Sequence, residues 1–245
     1  DIDGDAVLGI LADEHVVGIS PAGDEIYTSG RSVIETAYHQ QTSVLAFTAN
    51  IPAHGFLVSP DGVYLYSQDE RLVVATNTLG DYLPISIVTG SSYDSAPIPG
   101  GPAISTDGST IYCQDSIQVI DTLSNTYTSS GLSGYFLSDI ALSPDGTRLL
   151  VFEYSHANGW VDIYNAETFE FLATVGGFGD FTGELGFLGN DWVVAGSAGN
   201  PSSSTDGHLV TFNLLDATAT MWKTTLPLAD NLAVSARGEV VVASG

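Results

Sequence analysis

Ser143-Pro144-Asp145-Gly146-Thr147-Arg148-Leu149-Leu150-Val151-Phe152 sets a turn phrase directly before an apolar run, and the phrase returns along the chain. It stands as Ser20-Pro21-Ala22-Gly23, Ser59-Pro60-Asp61-Gly62, Ser105-Thr106-Asp107-Gly108 and Ser235-Ala236-Arg237-Gly238. Asp followed by Gly supplies a positive φ at low cost, which a two-residue hairpin loop requires. A degenerate copy is read at Leu188-Gly189-Asn190-Asp191, because Trp192-Val193-Val194-Ala195 follows it as Tyr64-Leu65-Tyr66 follows Gly62. Self-similarity at roughly 40 residues marks a repeat protein whose unit is one four-stranded sheet.

Within each unit the periodicity is that of short strands. Apolar runs flank the turn, as in Ile140-Ala141-Leu142 before it and Leu149 to Phe152 after it. An alternating strand follows, Trp160-Val161-Asp162-Ile163-Tyr164, then a polar turn, Asn165-Ala166-Glu167-Thr168, and a last strand from Phe169 to Val175. No stretch combines helix caps with a sustained apolar stripe. The pattern predicts an all-β fold, a β-propeller of six four-stranded blades or an incomplete set of seven. We read one domain over residues 1–245, with units near 15–50, 51–95, 96–137, 138–180, 181–229 and 230–245, the last closing with residues 1–14. Such closure pairs strands from both termini and removes exposed edges.

Ser-Pro-Asp-Gly before an aromatic or aliphatic strand, with Val161-Asp162-Ile163-Tyr164-Asn165-Ala166-Glu167-Thr168, resembles the YVTN-type propeller repeats, relatives of the WD-repeat propellers. The resemblance spans nearly the whole chain, and only the second and fourth units carry the full Ser-Pro-Asp-Gly. It implies a propeller built around a central channel, usually of seven blades.

Charge bounds the function. The chain has 5 Lys and Arg against 29 Asp and Glu, a formal net charge of −24, although charged residues make up only 14% of it. Such a surface is repelled by phosphate backbones and anionic lipid. Nucleic acid and membrane insertion are therefore set aside, and a protein, peptide or cationic ligand is the expected partner. No apolar stretch approaches the ~20 residues that a spanning helix needs. Cys113, the single cysteine, sits in the apolar run Ile111-Tyr112-Cys113 and reads as a small buried hydrophobe. The chain opens on Asp1 without a basic, cleavable leader, and we read it as an extracytoplasmic or secreted mature form, or as an excised domain of a larger surface protein.

Counting back from the turn glycines places His15 and His54 at the entry to the innermost strand of their units. The same count gives Ser138, Thr182 and Asp230, with Asp139 one place further along. If the innermost strands border a channel, these residues ring its mouth. His15, His54 and Asp230 then form a candidate set for a divalent metal, or for proton transfer. The plainer reading is that His and Asp at a strand entry cap backbone groups.

Two function classes follow. One is a binding module that presents its loops and channel mouth to a partner. The other is an enzyme with a His/Asp site at that mouth, with lactonase, lyase or quinoprotein-type chemistry all compatible with what such propellers resemble. The chain has no Gly-x-Ser-x-Gly elbow, Lys-bearing phosphate loop or His-Glu-x-x-His. Tyr27, Tyr64, Tyr66, Tyr112, Phe152 and Trp192 recur on the second strands, where packing between blades is the expected role.

Overall fold

The computed structural model describes residues 16–38, 40–48, 56–84, 87, 101–113, 117–132, 137–155, 158–176, 184–197, 208–215, 219–223, 231–234 and 240–243. Every regular element among them is a strand, apart from one 3-10 turn at Val74–Thr76. The chain divides into two compact units, Asp1–Ser86 and Ile87–Gly245.

The first unit holds two blades. One is β1 (Val16–Ile19), β2 (Glu25–Thr28), β3 (Ser32–Glu35) and β4 (Gln40–Val44); the other is β5 (Phe56–Val58), β6 (Tyr64–Ser67), β7 (Glu70–Val73) and β8 (Thr78–Leu79). The second unit holds three. They are β9 (Ala103–Ile104), β10 (Thr110–Cys113), β11 (Gln118–Asp121) and β12 (Thr126–Ser129); then β13 (Leu137–Leu142), β14 (Arg148–Ser155), β15 (Asn158–Asn165) and β16 (Phe171–Gly176); then β17 (Leu185–Phe187), β18 (Trp192–Ser197), β19 (His208–Asn213) and β20 (Ala219–Lys223). A pair, β21 (Asn231–Val234) and β22 (Val240–Ala243), follows. Each four-stranded sheet is an antiparallel meander in chain order.

The blades are those of a β-propeller, but five are four-stranded and not six or seven. The sixth repeat supplies two strands among the described residues, β21 and β22, and its phrase Ser235 to Gly238 lies outside the described residues. Residues 1–14, expected to complete that blade, lie outside the described residues.

The turn phrase is a hydrogen-bonded device of its own. In the fourth blade the Ser143 hydroxyl donates to Asp145 at 2.7 Å and accepts the N–H of Arg148 at 2.9 Å, while Asp145 accepts the N–H of Thr147 at 3.0 Å. Ser59 with Asp61 and Ser105 with Asp107 repeat the arrangement. Ser143 N–H bonds to the carbonyl of Arg148 and Gly146 N–H to that of Ser143. The loop between the paired residues therefore holds Pro144, Asp145, Gly146 and Thr147, twice the length the sequence pattern suggested. Gly146 takes a φ of +72°, where a side chain is strained. The first blade has Ala22 where the second, third and fourth have Asp, and Asp24 reaches back to take the Ser20 hydroxyl at 2.6 Å.

Packing between sheets explains why the second strands read as unbroken apolar runs. Successive residues of β14 point to opposite faces, and both faces are covered. Leu149 and Val151 join Ala103, Tyr112 and Ile117 of the third blade, while Leu150 and Phe152 join Val193, Ala195, Val210 and Phe212 of the fifth. In the first unit Tyr27, Val33, Phe56, Leu65 and Leu72 form the equivalent cluster between its two blades. Each large side chain buried in this way contributes roughly 1.5–3 kcal/mol. Tyr27, Tyr66, Tyr112 and Phe152 are packed as expected, whereas Trp192 remains 43% exposed and Tyr64 lies beneath the Arg71 guanidinium, 5.2 Å from ring centre to Cζ. Cys113 is fully buried, and burial pushes its thiol up to about 12.

Candidate functional site

The first strands β9, β13, β17 and β21 lie side by side in succession, which sets their entry residues next to one another. His15, His54, Thr182 and Asp230 lie outside the described residues. Ser138 and Asp139 are both on β13. The pairing of β13 with β14 slips between Leu137 and Asp139, leaving Ser138 as the extra residue of a bulge.

Asp139 is buried, and its carboxylate is fully engaged by main-chain donors. Oδ1 accepts the N–H of Ile140 at 2.8 Å and that of Gly101 at 3.1 Å, and Oδ2 accepts the N–H of Leu185 at 2.7 Å. Gly101 leads into β9 and Leu185 opens β17, so one side chain ties the third, fourth and fifth blades together at the entry to their first strands. Burial raises the carboxyl well above the usual range; the Leu185 N–H pulls the other way, and the neighbouring Glu184 charge adds to the rise. A carboxylate held in this way by three amides is a clasp in the scaffold.

Hydrogen-bond register relates the acids of adjacent blades. Leu188 N–H bonds to the carbonyl of Trp192, four residues on, where Ser143 bonds five residues on to Arg148. The fifth turn is thus one residue shorter than the others. Counting back from Leu188 and Ser143 then puts Glu184 and Asp139 at one shared position, with Gly101 at the same place before Ser105. The sequence count matches Ser138 with Thr182, one residue out from the register that matches Asp139 with Glu184.

A second buried carboxylate escaped the sequence reading. Glu70, at the start of β7, accepts the N–H of Thr48 at 2.9 Å and also bonds to the Thr48 hydroxyl. It anchors the segment that leaves the first blade. The available signal was a lone acid opening an apolar strand, Glu70-Arg71-Leu72-Val73, which by itself reads as a solvated edge. The clasp amides of Gly101 and Leu185 left no signal at all, because a backbone N–H looks the same at every position.

Among the described residues, no three His, Cys, Asp or Glu side chains gather in a way that would hold a metal ion. The acids of the turns are individually shaped. Asp61, Asp107 and Asp145 are held below the usual carboxylate range, first by the serine hydroxyl that donates to each and then by a backbone N–H, with Asp107 brought down to about 2. Asp121 is lowered chiefly by the N–H of Ser124.

The fold has solved counterparts. A chain of the hydrazine synthase of Kuenenia stuttgartiensis superimposes with a TM-score of 0.65 at 17% identity, over 96% of this chain and 75% of that one. TolB from Acinetobacter baumannii superimposes with a TM-score of 0.56 at 14% identity, over 92% of this chain and 55% of that one. At such identities the likeness is one of propeller architecture alone. No protein-family model matches the sequence, and no curated protein sequence matches it.

Proposed function

We propose that this chain is a binding propeller of the YVTN type, working outside the cytoplasm, whose acidic surface receives a basic protein or peptide. The observation that carries this reading is the state of Asp139. It is the acid of the predicted channel-mouth set that lies among the described residues, and it serves the framework by holding three backbone N–H groups. Among the described residues Asp61, Asp107, Asp145 and Glu167 stand on solvent-facing turns, and a net charge of −24 attracts cationic partners and speeds their encounter. Likeness to TolB and to a hydrazine synthase chain is consistent with a scaffold that serves different ends. No helix among the described residues is long and apolar enough to cross a membrane.

The test pairs a binding measurement with a metal measurement. Purified protein should bind a fluorescent oligolysine peptide at low ionic strength, with affinity falling steeply as salt is added. Elemental analysis should find metal well below one ion per chain, unchanged in His15→Ala and His54→Ala. Stoichiometric metal that either substitution removes would replace this reading with the enzyme one, centred on His15, His54 and Asp230.

A further inference from the structure

In a four-stranded meander the turn after the first strand and the turn after the third fall at the same end of the blade. In the second unit these turns are bonded to each other. The Thr122 hydroxyl donates to the Gly108 carbonyl at 2.7 Å, Ala166 N–H to Thr147 at 3.0 Å and Leu214 N–H to Asp191 at 2.8 Å. The end so formed carries Asp107, Asp121, Asp145, Glu167, Glu170 and Asp191. Among the described residues of these three blades, the cation at this end is Arg148, which reaches Asp191 at 3.6 Å. Lys223 closes β20 at the opposite end, opposite His208.

Large apolar side chains stand among these acids without cover. Leu123 is 87% exposed, Leu215 69%, Phe171 54% and Trp192 43%. Three of them stand on the fourth and fifth blades: Phe171 opens β16, Trp192 opens β18 and Leu215 follows β19. Leu215 N–H bonds to Asn213, which pairs across the sheet with Trp192. Asp191, beside Trp192, meets Arg148; Arg148 pairs with Asn165, next to Tyr164; and the Tyr164 ring packs edge-on against Phe171 at 5.8 Å. Scattered exposed hydrophobics are ordinary, but four of them at one acidic end of these three blades are a combination with a binding consequence.

Resting on the binding reading above, we infer that this turn-bearing end of the third to fifth blades docks a protein segment that combines Lys or Arg with aromatic or aliphatic anchors. Charge complementarity selects a cationic occupant and turns away nucleic acid and anionic lipid. The exposed apolar side chains select a peptide over a bare metal ion or polyamine, since their burial rewards anchor side chains that those ligands lack. Tyr164, braced by Phe171, supplies a half-buried floor.

The experiment uses the full chain and two fluorescent peptides, one of alternating lysine and tryptophan and one of lysine alone. Glu167→Gln combined with Glu170→Gln should weaken both about fivefold at low salt, as expected for the loss of two exposed ionic contacts. Phe171→Ser combined with Leu215→Ser should weaken the lysine–tryptophan peptide several-fold and leave oligolysine unchanged. Asp69→Asn with Asp81→Asn, a matched loss of charge in the second blade, should leave both unchanged. Thermal unfolding of each variant separates lost binding from lost structure. If neither peptide binds the native chain, the binding reading falls and takes this site with it. Equal weakening by both charge pairs would overturn the location alone, and indifference to the Phe171 and Leu215 pair would overturn the anchored peptide as occupant.

Discussion

Asp139 Oδ2 lies 2.7 Å from the backbone nitrogen of Leu185, an amide that opens the first strand of the next blade. With Gly101 held from the other side, the carboxylate fixes the spacing of three successive sheets. That single contact turns a residue with the outward marks of a reactive acid into part of the frame.

Removing the clasp should therefore cost stability. Asp139→Ala leaves the N–H groups of Gly101, Ile140 and Leu185 without their acceptor, a loss of roughly 3 kcal/mol or more. Asp139→Asn keeps one acceptor oxygen and turns an NH2 group towards an amide, so it should lose about half as much. Urea unfolding followed by tryptophan fluorescence measures both. A native-like midpoint for Asp139→Ala would sink the structural assignment.

Each serine of the turn phrase joins two parts of its loop. Ser143→Ala removes the donor to Asp145 and the acceptor for Arg148 N–H, and should cost about 1–2 kcal/mol. Gly146→Ala meets no atom within 4 Å, so its expected loss of about 1 kcal/mol comes from the φ of +72° alone. Gly18→Ala is the contrasting case. Its new Cβ would stand 2.9 Å from both Phe56 and Val58, and overpacking of that kind costs about 1–3 kcal/mol. Scanning calorimetry on the three variants checks the order.

Acid acts on two classes of carboxylate with opposite sign. Asp61, Asp107 and Asp145 have folded values below the ordinary one near 4, so the stability they add is present above it and is lost as pH falls through the folded values, about 2 for Asp107. Asp139 has a raised folded value, so its contribution is full below the ordinary value and is lost as pH rises through the folded one. Stability should thus climb from neutral into mild acid and collapse as pH approaches 2. Asp139→Asn should make the climb shallower. A native chain whose urea midpoint does not change between neutral and mildly acid pH would contradict the sign assigned to Asp139.

A net charge of −24 also strains the compact form by self-repulsion. The melting temperature should rise with sodium chloride over the range in which the screening length contracts from about 30 Å to about 3 Å. A flat response would mean that the acids are already compensated locally.

Much of the architecture was legible before any coordinates. The recurrence of Ser-Pro-Asp-Gly located the turns and the run from Leu149 to Phe152 marked a strand, and the packing of blades on either side explains why that run has no polar position in its alternation. Blade number was less accessible. The phrase Ser235 to Gly238 reads like its fellows, yet the described residues flanking it make only the pair β21 and β22, and a turn motif counts hairpins without counting the strands beyond them.

The amino-acid order by itself determined the repeat, the all-β character, the turn chemistry and the sign of the surface, since each depends on neighbours within a few residues or on a simple sum of charges. Only the tertiary structure decided what Asp139 does and that Glu184 shares its position. Both depend on backbone amides of other blades and on a fifth turn one residue short, and neither an amide nor a register carries a letter in the sequence.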